Sequence, residues 1–96
     1  MRQRGRIDSN QNELVECFRK LGASVYVTSS LGNGFVDIVV GAHGKNCLVE
    51  LKNGSKPPSA RKLTKHEQKF HDNWKGMTAI VENELDAYEL MRLLSV

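Results

Sequence analysis

The segment GFVDIVVGAHGKNCLVELKN (residues 34–53) constrains the fold most, because its pattern is typical of a single β-hairpin. A histidine and a glycine at 43–44 suit a two-residue turn, in which glycine is favoured at the second position. Counting inward from that turn places Asp37 opposite Glu50. The pattern therefore predicts two adjacent antiparallel strands with two acidic side chains on one face.

These two acids stand among apolar residues, and Lys52 shares their face because side chains two apart on a strand point the same way. Opposed carboxylates repel each other, and their burial is unfavourable unless a cation compensates it. Mg²⁺ suits such a gap, since it prefers a few carboxylates together with water and phosphate oxygens. We therefore expect Asp37 and Glu50 to bind a divalent metal ion. The alternative is that Asp37 caps a bent edge strand and Glu50 pairs with Lys52 on a solvated sheet face.

The hydrophobic periodicity and the turn residues of the remaining chain predict the element order αβββαβα. Asp8 or Ser9 can cap the first helix, and Thr64 and Glu67 form the T-x-x-E capping box of the second. The predicted ranges are a helix over 9–21, strands over 24–28, 35–41 and 46–52, a helix over 65–74, a strand over 77–83 and a helix over 84–94.

Composition and length favour one small folded domain spanning residues 1–96. The chain has no apolar stretch near the ~18 residues of a membrane span and no hydrophobic signal segment at its start, so we expect a soluble cytoplasmic protein. Cys17 and Cys47 lie in apolar contexts without a CxxC pair or clustered histidines. They are expected to be reduced core residues rather than zinc ligands.

Positive charge is concentrated in two segments that flank the hairpin, MRQRGR at 1–6 and KNGSKPPSARKLTK at 52–65. Such clusters can bind a nucleic-acid backbone through its phosphates, although they can also be ordinary solvated loop charges. The candidate nucleic-acid-binding residues are Arg2, Arg4, Arg6, Lys56, Arg61, Lys62 and Lys65.

The acidic hairpin in this context resembles the PD-(D/E)xK nuclease superfamily and, within it, the VRR-NUC family with its stand-alone phage and bacterial members. The resemblance rests on Gly34-x-x-Asp37, then Glu50-x-Lys52, on the segments LGNG and VELKN, and on the αβββαβ order, and it covers nearly the whole chain. Val36 stands where the motif has its proline. The resemblance implies an α/β fold with a restriction-endonuclease-like αβββαβ core, a mixed central sheet flanked by helices, and an added C-terminal helix.

The resemblance also implies a Mg²⁺-dependent endonuclease in which Mn²⁺ can substitute. Asp37 and Glu50 would be its carboxylate ligands, the Leu51 carbonyl a further ligand, and Lys52 the catalytic lysine. Two other candidate residues follow from the flanking helices.

Gln68 matches the glutamine that the family carries in its next helix, where it would orient water or phosphate. Glu13 matches the metal-binding acid of the first helix better than Glu16 does. The histidines His43, His66 and His71 are weaker candidates for acid–base chemistry.

The third helix carries an apolar arc of roughly 160°, wider than the ~100° stripe that covers one core. The arc consists of Leu93, Leu90, Leu94, Ala87 and Met91. It predicts a homodimer, and the resemblance then implies a structure-selective endonuclease that cleaves branched DNA such as four-way (Holliday) junctions. The alternatives are a monomer that trims flaps or nicks DNA, and a non-catalytic nucleic-acid-binding module of the same fold.

Trp74 and Phe70 lie four residues apart in the second predicted helix and are expected to pack on the sheet. Base stacking by Trp74 is the less favoured interpretation.

Overall fold

The computed structural model of the protein describes residues 10–96. The predicted arginine contacts at positions 2, 4 and 6 and the predicted helix caps at positions 8 and 9 lie outside the described residues. The helices and strands are α1 (Gln11–Lys20), β1 (Ser24–Val27), β2 (Ile38–Ala42), β3 (Lys45–Leu51), α2 (Lys65–Asn73), β4 (Thr78–Val81) and α3 (Glu84–Leu94), with short 3₁₀ helices at Ser29–Leu31 and Pro58–Ala60. The predicted order αβββαβα is confirmed.

The strands form a four-stranded mixed sheet in the order β1-β2-β3-β4. The first three are antiparallel neighbours, and β4 runs parallel to β3. The hairpin turn is confirmed, since His43 and Gly44 both have positive φ, 55° and 76°, as a type I′ turn requires. The register is also as predicted, with Ile38 paired to Val49. However, β2 begins only at Ile38, so Asp37 immediately precedes the strand instead of lying inside it.

One face of the sheet is covered by α1 and α3, which also pack against each other. Phe18 and Leu14 of α1 are among the largest fully buried side chains of this core. Cys17 and Cys47 are both buried there and unbridged, as predicted. Glu50 and Lys52 alternate along the chain with the core residues Val49 and Leu51, so their side chains lie on the other face of the sheet.

The apolar arc of α3 is mostly accounted for within the chain. Ala87, Leu90, Met91 and Leu94 are buried in the core, whereas Leu93 remains exposed. The apolar surface of α3 that remains available to a partner is therefore narrower than the sequence predicted.

Helix α2 lies at one end of the opposite face, close to Asp37 and Glu50. Gly34 allows this approach, because its φ is +81° and a Cβ there would lie 2.7 Å from the His66 carbonyl oxygen. The predicted capping box is confirmed: Thr64 Oγ1 accepts from the Glu67 amide at 3.2 Å, and Glu67 Oε1 accepts from the Thr64 amide at 2.9 Å. Helix α2 buries no residue completely, so side-chain contacts rather than a deep core fix its place.

The expected packing of Trp74 on the sheet is wrong. Phe70 contacts Phe35 and Trp74, and Trp74 remains 46% exposed. Within residues 10–96 no helix is both long enough and apolar enough to cross a lipid bilayer.

Candidate functional site

Asp37, Glu50 and Lys52 are buried together at the α2 end of the sheet. Their exposed fractions are 7%, 2% and 9%. Charged residues are rarely buried to this extent unless they are paired or bind a cation. The sequence predicted that these three side chains converge, and the structure brings them together.

The backbone around Asp37 is held by hydrogen bonds on both sides. The Thr28 amide donates to the Asp37 carbonyl at 2.8 Å, and the Asp37 amide donates to the Val49 carbonyl at 3.1 Å. The Leu51 amide donates to Asp37 Oδ2 at 2.8 Å. Val36, at the motif's proline position, is fully buried. These contacts give the carboxylate one defined position without the proline.

Glu50 is the electrostatically unfavourable member of the cluster. Burial, followed by the charges of Asp37 and Glu67, raises its pKa from 4.5 to about 10. Side-chain hydrogen bonds with Asp37 and Glu67 contribute to the same shift, so Glu50 shares its proton with neighbouring carboxylates. A cluster of carboxyl groups that keeps one of them protonated is an arrangement that a bound divalent cation would stabilise.

The Lys52 ammonium lies close to two glutamates. Its Nζ lies 3.7 Å from Glu50 Oε2 and 2.9 Å from Glu67 Oε1. Burial alone would raise the pKa of Glu67, but the Thr64 amide and the Lys52 ammonium outweigh burial and lower it. Glu67 therefore carries the negative charge that balances Lys52, while Glu50 is held neutral.

The cluster opens into a cleft of about 320 Å³. The polar residues that line it include Glu50, Lys52 and Glu67. The exposed Lys56 and Lys62 line it as well. Two lysines beside buried acids suit a ligand that brings both a cation and anionic oxygens. The predicted contacts of Lys56 and Lys62 with nucleic acid are compatible with this position.

Arg61 and Lys65, the other two described candidates for nucleic-acid contacts, do not line that cleft. Arg61 pairs with Glu82 at 2.9 Å and donates to the Lys56 carbonyl at 2.8 Å, so it stabilises the loop that carries the lysines. Lys65 is exposed in the first turn of α2.

Two residues of the predicted site are not brought to the cluster. Gln68 is exposed and donates to Asp72 Oδ1 at 2.9 Å. Glu13 is exposed and lines grooves beside α3 that also contain Glu84. Helix α2 instead contributes Glu67 to the cluster, which is one position before the predicted Gln68.

Sequence reasoning also missed the polar residues that fix the site. Asn10 donates to the carbonyls of Lys52 and Glu82 at 3.1 and 3.2 Å, which fastens the start of α1 to the end of β3. Thr28 holds the chain on either side of the Val36–Asp37 peptide, since its hydroxyl donates to the Val36 carbonyl at 2.8 Å. The spacing of Thr28 gave no signal, whereas the capping box did mark Glu67.

The histidines occupy three different environments. His43 is exposed in the hairpin turn and His66 is exposed on α2. His71 is half-buried against the Phe70 ring, and burial lowers its pKa. Its Nε2 atom is buried and makes no hydrogen bond among the described residues.

The donor set fits a hard divalent cation, because the available atoms are oxygens of buried carboxyl groups and of the main chain. Within residues 10–96 there is no group of three or more acidic, histidine or cysteine side chains arranged to hold a metal. An ion here would therefore depend on Asp37, Glu50, a main-chain carbonyl and non-protein ligands.

Comparisons with protein-family models, with curated proteins and with solved structures found no match for this chain.

Proposed function

We propose that the protein is a metal-dependent, structure-selective DNA endonuclease with a restriction-endonuclease-like core of the VRR-NUC type. The observation that best supports this proposal is the joint burial of Asp37, Glu50 and Lys52 beside a cleft that also contains exposed lysines. A module that only bound nucleic acid would gain nothing from acids turned toward a polyanion, and burying them would destabilise its fold.

Asp37, Glu50 and the Leu51 carbonyl would hold Mg²⁺ or Mn²⁺ in this proposal. When bound, the ion would polarise a phosphoryl oxygen and lower the pKa of its water. Binding of the ion requires Glu50 to ionise, because metal ligands must be deprotonated.

Lys52 would donate to the phosphate as negative charge develops on it, since an ammonium is a compact donor that does not compete for the metal. Glu67 holds Nζ at 2.9 Å and so limits the positions that Lys52 can adopt. Lys56 and Lys62 would contact neighbouring phosphates of the strand.

For the substrate we propose branched DNA, with a homodimer cleaving four-way junctions. Two sites related by a two-fold axis suit a symmetric substrate. The exposed Leu93 and Ile80 line one groove between α3 and the edge strand β4, which is apolar surface available to a second copy. Light scattering at micromolar concentration tests assembly, because a mass near 10.8 kDa would rule out the dimer.

The deciding experiment incubates the protein with four-way, flap, nicked and linear DNA and with RNA, in Mg²⁺ or in EDTA. We expect Mg²⁺-dependent cleavage that is fastest on the junction and is lost in Asp37→Asn, Glu50→Gln and Lys52→Met. Glu13→Gln is the matched control, because it neutralises an exposed acid outside the cluster and should leave cleavage unchanged.

Each other outcome identifies a different function. Binding without cleavage of any substrate would indicate a non-catalytic module, and preference for flaps or nicks would indicate a repair-type nuclease. Cleavage in EDTA, or by Asp37→Asn, would refute the assigned site.

A further inference from the structure

A second groove lies on the exposed side of α2, outside the catalytic cleft. It has a volume of about 290 Å³ and is lined by Asn33, His66, Lys69, Phe70, Asn73 and Trp74. Its lining combines aromatic rings, amides and one ammonium, and contains no carboxylate. The proposed chemistry does not use any of these side chains.

Trp74 is held in one orientation although much of it is exposed. One side of the indole stacks on Phe70, with ring centroids 5.2 Å apart and planes 25° apart. Phe70 in turn meets Phe35 edge-on at 5.2 Å. The indole Nε1 lies so close to Gly76 that a Cβ there would be 2.8 Å from it. The ring is thus supported on one side and at one edge, while the side chain remains 46% exposed.

The exposed part of the indole is apolar surface that a bound ligand would remove from water. A planar ligand would cover that surface and stack on the ring. Lys69 supplies positive charge at the groove. The exposed Lys65 and Lys75 precede and follow Lys69 in the sequence. This charge favours a planar ligand attached to a phosphate chain.

The groove and the catalytic cleft share α2. Thr64 and Glu67 line the cleft, and His66 and Lys69 line the groove. The lining residues of the two sites therefore alternate in the sequence at the start of α2. Phe35, which supports Phe70, also lies two residues before Asp37. At about 100° per residue, Glu67 and the groove residues face different sides of α2, so a nucleic-acid strand bound in the cleft would bend around this helix to reach Trp74.

We propose that this groove binds an unpaired nucleobase of the substrate, stacked on the exposed face of Trp74. This inference rests on the nucleic-acid substrate of the proposed function. A base in a duplex is already stacked on both sides, whereas a base at a junction, a flap or an end offers an open face. The groove would thus favour branched or single-stranded DNA over continuous duplex without reading sequence.

Trp74 is the one tryptophan of the 96-residue sequence, so intrinsic fluorescence reports on this ring directly. In EDTA, where the proposed nuclease is inactive, the protein is titrated with a short single-stranded DNA and with the same sequence as a blunt duplex. Stacking should quench the emission strongly with the single strand and weakly with the duplex. An oligonucleotide of the same length made of abasic sites is the matched ligand and should quench little.

Labelled single-stranded DNA then measures affinity for variants. Trp74→Leu should weaken binding by roughly 5- to 150-fold, the range for loss of one base–aromatic stack, and Trp74→Phe should restore most of it. Tyr88→Leu removes an aromatic ring that is 50% exposed on α3, outside the groove, and should bind as the wild type does. Thermal unfolding of all variants separates lost stacking from lost folding, and the Trp74→Phe rescue remains informative if Trp74→Leu is unstable.

Equal quenching by single strand, duplex and abasic DNA would overturn the inference, because phosphate proximity alone would explain it. A concentration-dependent blue shift without DNA would also overturn it, since a second copy would then cover the indole. Mg²⁺-dependent cleavage without selective quenching would refute this inference alone. Selective quenching without cleavage of any substrate would refute the proposed nuclease and leave the base-binding groove in place.

Discussion

Replacing Glu50 by glutamine tests the central electrostatic feature of the site in the absence of metal. Burial and the charges of Asp37 and Glu67 raise the pKa of Glu50 to about 10, so the folded protein keeps this side chain protonated at neutral pH. Glutamine has the same shape and is neutral at every pH. We therefore expect Glu50→Gln to stabilise the metal-free protein, and to stabilise it more as the pH rises.

The magnitude follows from proton linkage. Between the unfolded pKa of 4.5 and the folded value of about 10, unfolding releases the Glu50 proton, so the free energy of unfolding of the wild type falls with pH. The limiting slope is about 1.4 kcal/mol per pH unit, and the gain from Glu50→Gln should therefore grow by about 1 to 3 kcal/mol between pH 6 and pH 8. Glu67, whose pKa is lowered in the folded state, stabilises the fold while it is ionised. It loses this contribution to the free energy of unfolding only at acidic pH, below the window from pH 6 to pH 8.

Urea unfolding in EDTA at pH 6, 7 and 8 measures this difference. The wild type is the reference at each pH, so that the titrations of His71 and the cysteines cancel. Glu13→Gln is the matched control and should follow the wild type at all three values. A difference between Glu50→Gln and the wild type that does not change with pH would show that Glu50 is ionised in the folded state, and the proposed electrostatic cluster would be refuted.

Three further predictions concern metal, helix α2 and the lysines of the cleft. Mg²⁺ should raise the thermal unfolding midpoint of the wild type more at pH 8 than at pH 6, because its binding displaces a proton, and Asp37→Asn should abolish the rise. Glu67→Gln keeps the capping acceptor but removes the charge that balances the buried Lys52, so it should lower both kcat and the free energy of unfolding; Thr64→Ala should cost about 1 kcal/mol of stability and spare kcat. Replacing Lys56 and Lys62 by alanine should lower the slope of log affinity against log salt by about two, measured by fluorescence anisotropy, whereas an unchanged slope would exclude both phosphate contacts.

The sequence predicted correctly those features that depend on interactions between residues close together in the chain. The turn at His43 and Gly44 requires two residues with positive φ, and the sequence offers one tolerant residue and one glycine there. The capping box at Thr64 was recognisable for the same reason, since both of its hydrogen bonds join residues three apart. Because the hairpin register follows from the turn, the closeness of Asp37 and Glu50 was predictable as well.

The role of α2 was not predictable at the level of single residues. Gln68 and Glu67 are adjacent in sequence, and which of them faces the site depends on the rotation of the helix. That rotation is set by the approach at Gly34 and by the Phe35–Phe70 contact, which join segments more than thirty residues apart. Trp74 was misplaced for a related reason, because α2 ends at Asn73 and the extended Trp74 leaves the helix.

Helix α2 connects the two proposed sites through one small set of contacts. The Glu67 carboxylate both caps the helix and pairs with Lys52, so the start of α2 cannot shift without moving the ammonium that we assign to the phosphate. One turn later Phe70 supports the indole of Trp74. A base that stacks on Trp74 would therefore hold α2 in the position in which Glu67 orients Lys52. Substrate shape read at the groove would in this way favour the catalytic arrangement that we propose for the cleft.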